Sequence, residues 1–147
     1  MRFLDANVFI YAYYKPKKQL SQKEMNMKDN AKSIVTKIIE GREHVLTTVV
    51  HLSEIVNILK HVMPIVEVSE VIRGLFNLDN VKIVDVTRDM YFEASELGND
   101  FKLDANDALA IDVMELNGVN EIYTFDEDFD RVDRIKRLPV QRPTEKS

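Results

Sequence analysis

Short apolar segments alternate with segments of helical periodicity along most of the chain, and this order limits the folds available to it. Residues 81–86 alternate apolar and polar side chains, which is the pattern of a half-buried strand. Three further strand candidates are shorter, at residues 3–4, 45–46 and 121–125. Strands separated by helices are typical of an α/β domain. We therefore predict a mainly parallel central sheet with helices on its faces.

The predicted helices are defined by apolar residues at intervals of three and four. Gly41, Pro64 and Gly118 are placed to end helices, and Thr87 is placed to cap one. After a first helix that begins near residue 8, the predicted helices span residues 31–39, 48–63, 66–78, 88–101 and 104–117. The lysine-rich residues 15–30 contain few apolar side chains, so we interpret them as a polar connection or an exposed helical turn.

The chain is long enough for one domain with a substantial core, since it has 147 residues of which 45% are hydrophobic. We expect a single domain over residues 1–138 and a flexible tail over residues 139–147. The absence of cysteine excludes a disulfide scaffold, a thiolate zinc site and a cysteine nucleophile. No apolar run approaches the roughly 20 residues of a membrane span, and Asp5 interrupts any signal peptide. We expect a cytoplasmic protein that does not enter a membrane.

The net charge of −5 is unevenly distributed along the chain. Residues 15–32 and residues 131–147 each carry six basic and two acidic side chains. The other 112 residues carry eight basic and 21 acidic side chains, a balance of −13. The two basic segments suit a polyanionic partner, because Lys and Arg neutralise phosphates. The acidic body of the protein needs a separate explanation.

Four acids in that body interrupt apolar patterns. Asp5 follows the first predicted strand and Asp126 follows the last, at the carboxyl ends where open α/β sheets place their ligands. Glu54 and Asp107 align with the core-facing stripes of their predicted helices. An ionised carboxylate that faces a core costs several kcal/mol unless a partner neutralises it. These four positions therefore predict a shared site.

Each acid also has an ordinary structural interpretation when it is taken alone. Asp5 could close its strand in an Asx-type turn. Asp107 could be the partner of an N-cap at Asp104 in a variant of the capping box. Glu54 could form a salt bridge at a helix edge, and residues 126–128 could form a solvated turn. These alternatives stay open at this point.

Taken together, the four acids indicate a bound cation, because the body of the protein has too few basic residues to neutralise them. All four donate oxygen, and His44, His51 and His61 lack an obvious ligand spacing, although His51 lies three residues before Glu54. Oxygen ligands favour Mg²⁺ or Mn²⁺ over Zn²⁺. One or two such ions are suited to phosphodiester hydrolysis.

The same residues fall in four motifs that resemble those of the PIN-domain ribonucleases. The motifs are residues 4–12 (LDANVFIYA), 53–55 (SEI), 106–110 (NDALA) and 123–129 (YTFDEDF). The small size is most similar to the VapC toxins of toxin–antitoxin pairs, and the resemblance covers residues 1–130. It implies a three-layer α/β/α sandwich and an endoribonuclease that uses Mg²⁺ or Mn²⁺ to hydrolyse RNA.

The resemblance also implies roles for individual residues. The implied catalytic and metal-binding residues are Asp5, Glu54, Asp107 and Asp126. Asn7 matches a position that orients the first Asp through a hydrogen bond. Asp128 matches a frequent additional acid that assists through water or holds the local turn. Asp104 departs from the family's pattern by adding a further acid near the site, and this departure removes no ligand.

The partners implied by the resemblance are an RNA substrate, an antitoxin protein and a second copy of the chain in a homodimer. The lysine-rich segment looks longer than in the minimal toxins. We predict that Lys15, Lys17 and Lys18 contact RNA phosphates, with a simple solvated face as the alternative.

Other protein classes fit the motifs less well. A phosphotransferase of the haloacid dehalogenase type needs a second Asp where Asn7 stands. A response-regulator receiver would use Asp85 together with an acidic pair after the first strand, where only Asp5 is present. Two further alternatives keep the fold: an RNA-processing nuclease outside toxin–antitoxin systems, and a non-catalytic module that binds RNA or protein.

Overall fold

The computed structural model describes residues 1–13 and 18–139. The predicted tail, except Pro139, and the two lysines at positions 15 and 17 lie outside these residues. In chain order the elements are β1 (Arg2–Leu4), α1 (Asn7–Tyr13), α2 (Gln22–Ile39), β2 (Val45–Thr48), α3 (Val49–Leu59), α4 (Ile65–Asn77), β3 (Val81–Val84), α5 (Arg88–Phe101), α6 (Ala105–Leu116), β4 (Glu121–Tyr123) and β5 (Lys136–Leu138). A 3₁₀ turn, Glu127–Arg131, precedes β5. The predicted alternation of strands and helices is confirmed.

The five strands form one sheet in the order β3-β2-β1-β4-β5, and every pairing between them is parallel. Phe3 of β1 lies opposite Leu46 of β2 on one side and Ile122 of β4 on the other. The chain builds outward from β1 to β3 and then returns to the other side of β1. Ligands of open α/β sheets bind at this kind of reversal, outside the carboxyl ends of the two central strands.

Two apolar cores cover the two faces of the sheet, which confirms the predicted three-layer sandwich. Consecutive residues of β1 point to opposite faces, and Leu4 and Phe3 accordingly belong to different cores. The Leu4 side is covered by α1 to α4, and its core includes Phe9 and Ile55. The Phe3 side is covered by α5 and α6, and its core includes Leu109.

Helix α2 begins at Gln22, nine residues before the helix predicted to start at residue 31. Ser21 caps it by accepting a hydrogen bond from the backbone N–H of Glu24, and Met27 is buried on its inner face. Most other side chains of the first two turns are exposed, so hydrophobic periodicity did not mark them as helix. Neither α2 nor any other helix in the described ranges is long and apolar enough to cross a membrane.

Strand β5 was not predicted, because its three residues, Lys136–Leu138, include two basic side chains and lie in the basic C-terminal segment. It pairs with β4 in parallel, and Leu138 lies opposite Tyr123. Charged residues are common on edge strands, where they oppose pairing with other chains. The basic segment therefore contributes to the sheet as well as to the surface charge.

Gly98 lies in the last turn of α5, and an added Cβ there would collide with the backbone carbonyl oxygen of Leu103, just before α6. We expect Gly98→Ala to lower the free energy of unfolding by about 1–3 kcal/mol, because the backbone at the start of α6 must move. Gly74→Ala in α4 is the matched control, since its Cβ would meet no atom within 4 Å. That change should raise stability by about 0.5–1 kcal/mol. Urea denaturation of both variants measures the difference, and equal stabilities would contradict the close approach.

Candidate active site

Asp5 lies at the carboxyl end of β1, beside the end of β4. Its backbone N–H donates to the carbonyl of Tyr123 at 3.0 Å, and its side chain is only 5% exposed. One carboxylate oxygen accepts from the backbone N–H of Ala6 at 2.8 Å, and the other accepts from the hydroxyl of Thr124 at 2.7 Å. These bonds hold a buried acid in one orientation at the centre of the sheet edge.

Thr124 is a site residue that the sequence analysis missed. Its hydroxyl donates to Asp5 and accepts from the backbone N–H of Asp126 at 3.1 Å, so it connects the ends of β1 and β4. The Asn7 side-chain oxygen lies 3.3 Å from this hydroxyl and accepts from the backbone N–H of Phe125 at 3.3 Å. Because the hydroxyl has one proton and its contact with Asp5 is the shorter, that proton goes to Asp5, and Asn7 is held beside the pair by the backbone N–H of Phe125. The orienting role that the resemblance implies for Asn7 stays a prediction.

Glu54 and Asp107 reach the same region from α3 and from the first turn of α6. Both side chains are partly buried. The Asn106 side-chain amide donates to Oε1 of Glu54. Asp104 caps α6, because its side chain accepts from the backbone N–H of Asp107 at 2.8 Å. Asp104 is therefore the N-cap of α6, but within the described part of the chain no hydrogen bond between the Asp107 side chain and the Asp104 backbone completes the capping box that was the alternative for Asp107.

Asp126 and Asp128 follow β4 but differ in their partners. Asp126 caps the 3₁₀ turn by accepting from the backbone N–H of Asp128 at 2.9 Å. The Asp128 carboxylate forms an ion pair with Arg131 at 3.1 Å. Asp85, the acid that a receiver domain would need, is exposed and follows β3 at the edge of the described sheet. A role for Asp128 in holding the local turn is the one that this geometry favours.

Electrostatic coupling connects Asp5, Asp107, Asp126 and Glu54. Burial first, and then the charges of Asp104, Asp5, Asp126 and Glu54, together raise the pKa of Asp107 to about 8. The pKa of Asp5 is raised to about 7, mainly by burial and also by the charges of Glu54 and Asp126, while the hydrogen bonds from Thr124 and Ala6 lower it. Among residues 1–13 and 18–139, every charged group that shifts the pKa of these two carboxyls is itself acidic. The structure thus brings the four predicted acids into one region with Asp104 beside them.

The donor set fits a hard divalent cation. Each of the four acids offers carboxylate oxygens, which Mg²⁺ and Mn²⁺ prefer, and a cation would reverse the repulsion that raises their pKa values. Within residues 1–13 and 18–139, no three His, Asp or Glu side chains already stand as a formed metal site. The four acids share one region, and holding a cation would require their side chains to move closer together.

The chain matches known proteins over most of its length. The model of the PIN domain family matches residues 2–135, which is nearly the whole chain. This chain belongs to the PIN-domain family. Ribonuclease VapC6 of Methanocaldococcus jannaschii is 34% identical over 70 residues. That match spans 48% of this chain and about half of the relative, 46% of its length.

Solved structures share the fold of this PIN domain at low sequence identity. VapC20 of Mycobacterium tuberculosis, described as a toxin that cleaves the sarcin-ricin loop, is 18% identical with a TM-score of 0.64, over 88% of this chain and 93% of that one. A toxin–antitoxin complex from Klebsiella pneumoniae is 15% identical with a TM-score of 0.61, over 92% and 96%. VapBC2 of Rickettsia felis, bound to a promoter DNA fragment, is 15% identical with a TM-score of 0.57, over 92% and 96%.

His51 supports the site without belonging to the acid cluster. It is 1% exposed on α3, and the edge of its ring packs against Phe3 with 4.9 Å between ring centroids. Its Nε2 lies 3.1 Å from the carbonyl oxygen of Asn106, which can only accept, so Nε2 carries the proton and Nδ1 accepts from the Thr48 hydroxyl at 2.7 Å. Burial lowers the pKa of His51 to about 4, which keeps the ring neutral.

The raised pKa of Asp107 predicts how stability changes with pH when no metal is added. The folded protein holds a proton on Asp107 up to about pH 8, whereas the unfolded chain releases it near the ordinary value of 3.8. Fewer protons are bound in the unfolded state across this window, so the free energy of unfolding falls as pH rises towards 8. Asp107→Asn removes this contribution, and its stability should fall less between pH 6.5 and pH 8.

Thermal unfolding in the presence of a chelator measures the effect. The window above pH 6.5 avoids most of the opposite contribution of His51, whose lowered pKa makes stability rise with pH between about 4 and 6.5. Asp100→Asn on the exposed side of α5 is the matched control and should keep the wild-type pH dependence. An unchanged decline in the Asp107 variant would contradict the burial and repulsion described above.

Proposed function

We propose that this PIN domain is a metal-dependent endoribonuclease that hydrolyses RNA phosphodiester bonds, and that it is the toxin of a toxin–antitoxin pair. The observation that carries the proposal is that four acids lie together at the switch point of the sheet: Asp5, Glu54, Asp107 and Asp126. Among the described residues, no basic group contributes to the pKa shifts of Asp5 and Asp107. The ribonuclease and toxin assignments draw on the names of the relatives.

The proposed chemistry gives a different role to each residue of the site. Asp5, Asp107 and Asp126 would hold the ion, and Thr124 keeps Asp5 in position with a hydrogen bond of 2.7 Å. Glu54 would orient the attacking water or hold a second ion. When bound, Mg²⁺ or Mn²⁺ supplies Lewis acidity, which stabilises the charge that develops on the phosphate and lowers the pKa of water. In-line attack by the water would then split the bond to the leaving oxygen.

The acidic site also needs help to accept a polyanion. Any ionised carboxylate of the site repels phosphate until a cation is bound, and the basic segments at residues 15–32 and 131–147 would supply the remaining attraction. Lys18 is exposed near the end of α1, while Lys15 and Lys17 lie outside the described residues. These three lysines are the proposed phosphate contacts.

The proposed partners follow from the complexes among the similar structures. The Klebsiella pneumoniae structure is described as a toxin–antitoxin complex and the Rickettsia felis structure as VapBC2 on promoter DNA, so an antitoxin protein is proposed as a partner of this chain. A homodimer is also proposed, and light scattering of the purified protein would measure it. A cytoplasmic location stays a prediction from the sequence.

Asp5→Asn and Asp107→Asn test the assignment of the site. Removing a proposed metal ligand should lower Mn²⁺-dependent cleavage of labelled RNA by about 100-fold or more, since even outer-shell partners of metal ligands are worth 10–100-fold. Circular dichroism should report an unchanged fold, and Asp100→Asn should cleave as the wild type does. Cleavage that survives in both variants would overturn the assignment.

Mn²⁺ binding separates an enzyme from a non-catalytic module. A ligand that binds only the folded state raises the melting temperature, so millimolar Mn²⁺ should stabilise the wild type and should stabilise Asp5→Asn less. The absence of any shift in the wild type would favour the binding module. A shift with RNA cleavage but without an antitoxin-like partner would favour an RNA-processing nuclease.

Replacing Lys15, Lys17 and Lys18 together with Gln tests the phosphate contacts. Three lost contacts should reduce the slope of log binding constant against log salt by about 2 for single-stranded RNA. Replacing Lys37, Lys60 and Lys82, which lie outside both basic segments, is the control for net charge. Equal slopes in the two triple variants would argue against specific phosphate contacts.

A further inference from the structure

A chain of hydrogen bonds leads from α5 through α6 to Glu54. The Tyr91 hydroxyl on α5 bonds to the side-chain oxygen of Asn106 on α6, and the Asn106 amide nitrogen bonds to Oε1 of Glu54 on α3. The three residues are separated by 15 and 52 positions in sequence. Three helices from both layers of the sandwich therefore meet at one side-chain amide.

The direction of this chain is determined by the chemistry of its ends. An ionised carboxylate can only accept, so the Asn106 amide must turn its nitrogen towards Glu54. Its oxygen then faces Tyr91, and the phenol must donate to it. If Tyr91 lost its hydroxyl, the amide would lose the partner that fixes its orientation. Tyr91 therefore acts on Glu54 although the two do not share a hydrogen bond.

A second bond fixes Asn106 to the same helix that carries Glu54. Its backbone carbonyl accepts from Nε2 of His51, which lies one turn before Glu54 on α3. The Asn106 backbone and side chain are thus both attached to α3, by His51 and by Glu54. A partly buried amide that is bonded on both sides has little freedom to rotate, so it can hold a carboxylate in one rotamer.

We propose that Asn106 and Tyr91 are positioning residues that hold Oε1 of Glu54 and leave its other oxygen in place for a divalent cation or the water beside it. This inference rests on the proposed metal-dependent function and names residues for which that function gives no role. Asn106 lies beside Asp107 in sequence, so the same turn of α6 supplies one acid and orients another. Residues that orient metal ligands in this way are typically worth 10–100-fold in metal affinity or activity.

The test measures Mn²⁺ affinity separately from cleavage. Electron paramagnetic resonance reports free Mn²⁺ during a titration, so a dissociation constant is obtained without RNA. Asn106→Ala should weaken Mn²⁺ binding about tenfold, and Tyr91→Phe should weaken it less but in the same direction. In cleavage assays both changes should lower kcat and leave KM for RNA unchanged. Tyr13→Phe, on α1 at the opposite face of the sheet, is the matched control and should behave as the wild type does.

Double variants distinguish positioning from a general effect on folding. If Tyr91 acts through Asn106, adding Tyr91→Phe to Asn106→Ala causes no further loss of Mn²⁺ affinity. If both act through Glu54, neither change weakens Mn²⁺ binding further in a Glu54→Gln background. A merely structural role would lower the melting temperature and add its effect in every background.

The outcomes separate this inference from the proposed function. Wild-type protein that binds Mn²⁺ and cleaves RNA, with both single variants within about twofold of it, overturns the positioning role alone. Losses that persist in the Glu54→Gln background overturn it as well. Wild-type protein that neither binds Mn²⁺ nor cleaves RNA overturns the proposed function, and this inference with it.

Discussion

The parallel pairing of β1 with β4 is the constraint on which the candidate site depends. The backbone hydrogen bond from Asp5 to Tyr123 brings the ends of two central strands together. The Thr124 hydroxyl then bonds to the Asp5 carboxylate and to the backbone N–H of Asp126, so it connects the two acids that follow these strands. Burial and repulsion then raise the pKa of Asp5 and Asp107. The strand order sets the position of the site, and helices α3 and α6 add Glu54 and Asp107 to it.

Much of this arrangement could be predicted from the sequence, because it depends on residues close together in the chain. An acid directly after an apolar strand lies at a sheet edge, as Asp5 and Asp126 do. An acid in register with the apolar stripe of a helix faces the core, as Glu54 and Asp107 do. Strand ends and helical periodicity therefore predict the positions of the four acids without the order of the strands.

The connections between the acids could not be predicted in this way. Thr124 lies inside an apolar strand segment and reads as an ordinary β-branched residue, yet it bonds to Asp5 across 119 positions. Tyr91 and Asn106 meet only because α5 packs on α6. The early start of α2 was missed because its first turns are mostly polar, and β5 was missed because an edge strand of three residues carries no periodic signal. Such features depend on packing between distant segments.

The repulsion among the buried carboxylates also bears on how long the protein survives in a cell. Proteases cut the small fraction of molecules that open, and that fraction grows as the free energy of unfolding falls. At neutral pH the acids around Asp5 and Asp107 favour opening, whereas a bound cation would oppose it. Under the proposed function, a shortage of divalent cations would therefore inactivate the nuclease and also increase its rate of degradation.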